Sequence, residues 1–256
     1  MDDRGFRYGQ HLFESIAVRN SVPLLLKEHL TTLRHSAKEK GIPFSKSMEA
    51  ALRAIDAGKK LPDGMLRIYL TAGPGSPVSP IRMPALYVTW ESTHFPTEKE
   101  LEVGMALRIL KKPFSEAGWG LKTGNYEQHL LALEEARSAG ADEGVVLDAK
   151  ERVVSCAMGN LLVWLPSRSG TSVITPPRSR GARSGVVLGW TRSHARVLER
   201  DLRPSDLRLA VAMAVTNSRL GVMPVTTCAG KKLPEPSLAL TLAHGYLRAH
   251  GLLGNA

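Results

Sequence analysis

The stretch "KTGNYEQHLLALEEARSAGADEGVVLD", residues 122–148, decides how this chain is read. Thr123 and Asn125 are residue types that start helices, because their side-chain oxygens accept from the unpaired N–H groups of a first turn. From residue 125 apolar positions recur at helical spacing as far as Gly140, a residue type that stops helices. "EGVVLD", residues 143–148, then reads as a strand, and "DAKER", residues 148–152, as its turn. Lys122 therefore stands just after Trp119 and Gly120, at the mouth of the helix. Such a lysine is either a solvated surface residue or an amine held for covalent chemistry with an aldehyde. Its immediate neighbours leave both readings open.

The chain has 256 residues, 43% of them hydrophobic, which suits one large or two modest domains with a real core. No apolar run approaches the roughly 20 residues needed to span a bilayer. The start, "MDDRGFRYGQHLFES", is charged and lacks the apolar segment of a signal peptide. Two cysteines, Cys156 and Cys228, make no disulfide framework. A cytoplasmic protein with no membrane association is expected. The net charge of +10 favours anionic partners. The basic residues are scattered, with one local cluster at "RSRGAR", residues 178–183, and aromatic residues make up only 5%. No zinc-finger spacing or RNP-like aromatic pattern appears. The expectation is a small anionic ligand, with no nucleic acid and no metal.

Along the chain, "HLFESIAVRN" (11–20) reads as a strand. Helices follow at "KEHLTTLRHSAKEKG" (27–41), with Leu30, Leu33 and Ala37 on one face, and at "SMEAALRAIDAG" (47–58). Strand-like runs occupy 65–73, 85–90 and 106–112. These make a smaller N-terminal α/β domain over 1–112. "PFSEAGWG", residues 113–120, reads as a linker. The rest, 121–256, holds a hairpin and a further strand over 143–166 and a strand at 172–177. It continues with a helix around 191–202, strands at 206–215 and 221–230, and a helix over 236–251. The fold class is α+β or α/β with two domains.

Six stretches together carry a family resemblance: "DRGFRYGQHLFES", "LLLKEHLTTLRHSAKEKGIP", residues 122–148, "VVSCAMGNLL", "ITPPRSRGARSGVV" and "VTNSRLGVMPV". In this order they resemble the fold-type IV pyridoxal-phosphate (PLP) enzymes, the aminotransferase class IV family. That family includes branched-chain and D-amino-acid aminotransferases and 4-amino-4-deoxychorismate lyase. The resemblance implies the D-amino-acid aminotransferase-like fold: a smaller N-terminal domain, a larger C-terminal domain of barrel-like β-structure with helices, and a cleft between them. It implies a homodimer and PLP as cofactor. Lys122 falls where the family carries its Schiff-base lysine, which later serves as the catalytic base. Gly185, Val186 and Val187 match the turn whose N–H groups hold the phosphate. Ser218 matches a hydroxyl donor in the second phosphate loop, and Ser155 takes the place facing the ring nitrogen. Tyr8, His11 and Arg67 are candidates for the substrate side, while Asn160 is expected to hold a turn.

Three positions depart from the family pattern. Thr32 stands where an arginine usually meets the phosphate, and Leu188 where another arginine follows the phosphate turn. Ser155 replaces a glutamate that would keep the pyridine nitrogen protonated and the ring a strong electron sink. That last change disfavours transamination more than elimination. The favoured expectation is thus the lyase reaction, release of pyruvate from aminodeoxychorismate to leave 4-aminobenzoate, a folate precursor. A D-amino-acid or branched-chain aminotransferase is the enzymatic alternative. A homologue that acts without PLP is the other.

Overall fold

The computed structural model describes residues 2–56, 61–111, 120–168 and 170–253. The linker expected over 113–120 lies outside the described residues except for Gly120. The chain divides into two compact units, Met1–His94 with Leu121–Tyr126, and Phe95–Gly120 with Glu127–Ala256.

The first unit opens with a short helix, α1 (Arg4–Tyr8), capped by the Asp3 carboxylate through the Gly5 N–H. The same carboxylate accepts from the Thr71 hydroxyl at 2.7 Å. A Cβ on Gly5 would meet Asp3 Oδ1 and Thr71 Cγ2 at 2.8 Å, so only glycine fits. Arg4 is buried, and its guanidinium donates to the carbonyls of Pro77 and Ser79. The Asp-Arg-Gly start is therefore a small knot of hydrogen bonds, which sequence periodicity did not register as a helix. Next come β1 (His11–Arg19), β2 (Val22–Pro23), α2 (Leu26–Glu39), α3 (Lys46–Arg53), β3 (Gly64–Thr71) and β4 (Ala85–Glu91). The strands form an antiparallel sheet in the order β2-β1-β3-β4. Leu12, Ile16 and Val18 of β1 meet Leu30, Leu33 and Ala37 of α2 in one core. The period-2 face of a strand thus packs on the 3.6-period face of a helix.

The second unit holds α4 (Glu98–Val103), β5 (Met105–Ile109), α5 (Glu127–Ser138), β6 (Glu143–Leu147), β7 (Val153–Cys156), β8 (Asn160–Ser167) and β9 (Gly170–Thr175). It continues with α6 (Val186–His194), β10 (Val197–Glu199), α7 (Pro204–Leu209), β11 (Ala212–Asn217), β12 (Gly221–Cys228), β13 (Lys231–Lys232) and α8 (Ser237–Ala249). Among the described residues its strands form one curled, mixed sheet, β10-β9-β8-β11-β12-β5-β6-β7, with β13 on β12. The apolar runs of β8 and β11 are buried on both faces, which explains why they show no alternation. Helix α6 packs on β11, α8 on β11 and β12, and α5 on β6.

The fold is the mixed α/β architecture expected, with local corrections. The strand read at 106–112 forms over Met105–Ile109, and its partners β12 and β6 lie in the second sheet. The helix expected around 191–202 forms earlier and ends at His194, because Ala195 is extended and Val197–Glu199 pairs with β9. Residues 206–209, expected as strand, are helical. Pro204 at the helix start and Asp206, which accepts from the Arg203 N–H at 2.7 Å, open α7 there. Helix α5 begins at Glu127 rather than 125, since Thr123 is engaged in a bridge with Leu12. The helix α4 escaped the sequence reading although Thr97 and Glu100 form a reciprocal cap.

Candidate active site

Lys122 lies in the short segment that the first unit takes back from later in the chain. Its carbonyl accepts from the Phe13 N–H at 3.0 Å, and the Gly124 N–H donates to the His11 carbonyl at 3.1 Å. The segment thus runs along the open edge of β1, held as a short antiparallel ladder. The Lys122 side chain is 27% exposed. Its Nζ is 3.9 Å from Glu14 Oε2 and 5.5 Å from the centre of the Phe13 ring. Phe13 in turn meets Tyr126 edge-on and stacks on Tyr69.

Glu14 and His29 escaped the sequence reading. Glu14 sits on the β1 face that packs against α2, and His29 on α2 opposite it. His29 Nδ1 and Glu14 Oε2 are 2.7 Å apart, with the two side chains 2% and 4% exposed. A carboxylate there accepts, so His29 donates from Nδ1. The Lys122 amine, the Glu14 carboxylate and the His29 imidazole thus stand in a row, with His29 holding the carboxylate that lies 3.9 Å from the amine. The available signals were a carboxylate inside the apolar run "LFESIAV" and a histidine beside the apolar face of a helix.

Of the expected substrate-side residues, His11 lies closest to the lysine segment. A Cβ on Gly124 would meet its Cε1 at 2.5 Å, and its Nδ1 is 3.2 Å from the Gly5 carbonyl. Arg67 is tied to the framework, donating from Nε to Glu91 at 2.9 Å and from Nη1 to Ser15 at 3.0 Å. Tyr8 ends α1, 43% exposed, beneath the Arg7 guanidinium.

In the second unit Gly185, Val186 and Val187 form the start of α6. Gly185 is the N-cap residue and offers no side chain to the first-turn N–H groups. A Cβ at Gly185 would lie 1.9 Å from Asn160 Oδ1, so the close approach requires glycine. Asn160 also donates from Nδ2 to the Arg183 carbonyl at 2.8 Å, which fixes the chain entering the helix. The helix start is a set of N–H groups at the positive end of a helix dipole, suited to a phosphate. Ser218 follows β11, half-buried.

Residues 11–228 match the family Amino-transferase class IV. The chain belongs to the class IV aminotransferase family. Members of this family are PLP enzymes. The chain is 25% identical over 240 residues to an aminodeoxychorismate lyase from Bacillus subtilis, covering 88% of this chain and 79% of that one. It is similar to the crystal structure of 4-amino-4-deoxychorismate lyase from Pseudomonas aeruginosa, with a TM-score of 0.85, 27% identity, and 99% and 95% of the two chains covered. A "hypothetical aminotransferase" from Mycobacterium tuberculosis, in a PLP-bound form, shares the fold with a TM-score of 0.79 at 20% identity, over 97% and 93% of the chains. D-alanine and branched-chain-amino-acid aminotransferases are also among the curated relatives.

Leu188 is buried, and Thr32 is half-buried on α2. Arg192 pairs with Glu199 on the surface. Arg183 is buried, with Nη2 3.4 Å from the Ala157 carbonyl. Near it lies Glu143, a buried carboxylate that accepts from the N–H groups of Gly144 and Met158. Burial pushes the Glu143 carboxyl above its ordinary value, against the pull of those N–H groups and of Arg183. Ser155 is 1% exposed, and its hydroxyl donates to the Gly159 carbonyl at 2.6 Å. Its proton is engaged, so toward any further partner it can only accept. Among the described residues, no three His, Cys, Asp or Glu side chains gather as a metal site, and no helix is long and apolar enough to cross a membrane.

Proposed function

We propose that this chain is a PLP-dependent 4-amino-4-deoxychorismate lyase, which releases pyruvate from its substrate and leaves 4-aminobenzoate. The observation that carries the reading is Ser155, a buried neutral hydroxyl already donating to the Gly159 carbonyl, at the position where the family resemblance implies a carboxylate. PLP, when bound, supplies an aldehyde for an amine and a ring that withdraws electrons from the bond being broken. Without a carboxylate to keep its nitrogen protonated that withdrawal is weaker, which suits an elimination better than a transamination.

The residues fit such a group in two respects. Lys122 offers an amine on a fixed stretch of backbone, and the start of α6 offers uncapped N–H groups with room only for glycine at Gly185. Lys122 Nζ would hold the aldehyde group, and would accept the proton from the carbon that bears the substrate amine. Glu14 is placed to receive that proton in turn, and His29 steadies the carboxylate through its Nδ1–H. Val186 and Val187 would donate their N–H groups to the phosphate, with Ser218 as a hydroxyl donor. Tyr8 and His11 remain candidates for the substrate. Substrate and products balance with no amino acceptor, which separates this reaction from transamination. A homodimer is part of the proposal, and light scattering at micromolar concentration tests it.

The protein loaded with PLP should form pyruvate and 4-aminobenzoate in equal amounts from aminodeoxychorismate and show little half-transamination of D-alanine or branched-chain amino acids. Robust transamination with no 4-aminobenzoate would overturn the lyase reading in favour of the aminotransferases among its relatives. Failure to bind PLP at all would favour a homologue that works without it.

A further inference from the structure

The basic run "RSRGAR", residues 178–183, does not form one surface patch. Arg180 pairs with Asp201 at the surface, whereas Arg183 is 6% exposed. Taking a guanidinium out of water is costly, so an arginine is a poor choice for filling space alone. Arg183 holds two different pieces of the chain. Its side-chain Nη2 donates to the Ala157 carbonyl at 3.4 Å. Its own carbonyl accepts from Asn160 Nδ2 at 2.8 Å and from the Gly185 N–H at 2.9 Å. Ala157 belongs to the turn between β7 and β8, whose Gly159 carbonyl takes the Ser155 hydroxyl and the Cys156 N–H. Other buried side chains grip the same turn. Glu143 accepts from the Met158 N–H at 3.1 Å, and His129 Nδ1 lies 2.7 Å from the Ala157 carbonyl. Against the upward push of burial, and beside the Gly144 and Met158 N–H groups, the Arg183 charge draws the Glu143 carboxyl down, so the two charges are neighbours.

We infer that Arg183 is a positioning residue: a strut that ties the turn following Ser155 to the start of α6 and sets how far apart the two stand. A buried pair of charges adds little net stability, and what it supplies over an apolar side chain of similar length is a defined geometry. What the strut does for the cofactor rests on the PLP reading, in which the ring meets Ser155 and the phosphate meets α6. A fixed spacing then favours one ligand that spans both places, as a rigid link does between two weak contacts.

Amide hydrogen exchange on the apoprotein tests the strut without any cofactor. Arg183→Met removes the guanidinium at nearly constant length. Exchange at Cys156 and Met158 in the turn, and at Gly185 and Gly189 at the helix start, should then speed up together by about tenfold, the size of one lost hydrogen bond from a charged group. Strands β11 and β12 should keep their protection. Arg180→Gln, in the same run, should change none of these amides. Acceleration at only one of the two places, or equally throughout the sheet, would overturn the inference. If Arg183→Met does not fold, the unaltered protein in rising urea decides: the four amides should open at one common free energy, below that of β11, and two separate levels would sink the claim. With PLP, Arg183→Met should bind about tenfold more weakly. At saturation it should also shift the absorbance maximum of the bound cofactor, which a loss of stability alone does not move. Unchanged affinity and spectrum would overturn the positioning role. If the amides behave as stated and the unaltered protein binds no PLP, the strut stands and the cofactor reading falls.

Discussion

Lys122 stands among side chains that carry charge and rings, whereas the start of α6 offers backbone N–H groups and a glycine. The first centre depends on Glu14, His29 and Phe13, each from β1 or α2. The second depends on the path of the main chain, fixed by Asn160, and on the absence of a Cβ at Gly185. The contrast teaches which perturbations each can survive. A centre made of side chains fails when a titratable group is removed, and one made of backbone fails when an atom is added.

The largest expected effect is at Lys122. Lys122→Ala should lower 4-aminobenzoate formation by about 1000-fold or more, since both covalent attachment and the proton acceptor go. Borohydride reduction of the PLP-loaded protein followed by peptide mapping should place a pyridoxyl group on Lys122. The same group found on another lysine breaks the comparison at its first term. Glu14→Gln should come next, with turnover down about 100-fold and phosphate affinity unchanged by calorimetry. A parallel loss of both would mean that the two centres are not separable in this way.

Gly185→Ala should do the reverse. The added Cβ meets Asn160 Oδ1, so a stability loss of about 1–3 kcal/mol in urea unfolding is expected, together with weakened phosphate binding. Borohydride trapping on Lys122 at saturating PLP should persist. The smallest effect concerns Glu143. Burial raises its carboxyl above 4.5 in the folded state, so the folded protein holds that proton where the unfolded chain has lost it. Its contribution is fully present below pH 4.5 and is lost as pH rises through the folded-state value. The difference in unfolding free energy between the unaltered protein and Glu143→Gln should therefore shift against the unaltered protein over that interval. A flat difference from pH 4 to pH 8 would show that Glu143 carries no such term.

The two centres also differ in how far the sequence exposes them. The place of Lys122 before a helix and a strand can be read from 122–148, because the turn, the helical period and the strand are contiguous. The Gly-Val-Val helix start is legible for the same reason. Glu14 and His29 are 15 positions apart, and nothing local says that a strand face and a helix face will bring them to 2.7 Å. Ser155 could be located in the sequence, yet the direction of its proton, into the Gly159 carbonyl, is a matter of the turn that β7 and β8 make. Arg67 was legible as a basic residue on a strand, while its partners Glu91 and Ser15 come from elsewhere in the sheet.

The lysine segment has a consequence for the order in which this protein is made. Domains tend to fold as they leave the ribosome, with early segments settling first. Residues 1–94 contain β1, α2 and the sheet core, so Glu14 and His29 can meet early in synthesis. The edge of β1 beside Phe13 must nevertheless wait for Lys122, which arrives only after the start of the second unit has been made. Such a contact between distant positions is slow to form, because a long loop must close first. The Lys122 amine is thus installed late, and a nascent chain stalled before residue 121 holds the Glu14–His29 pair without it.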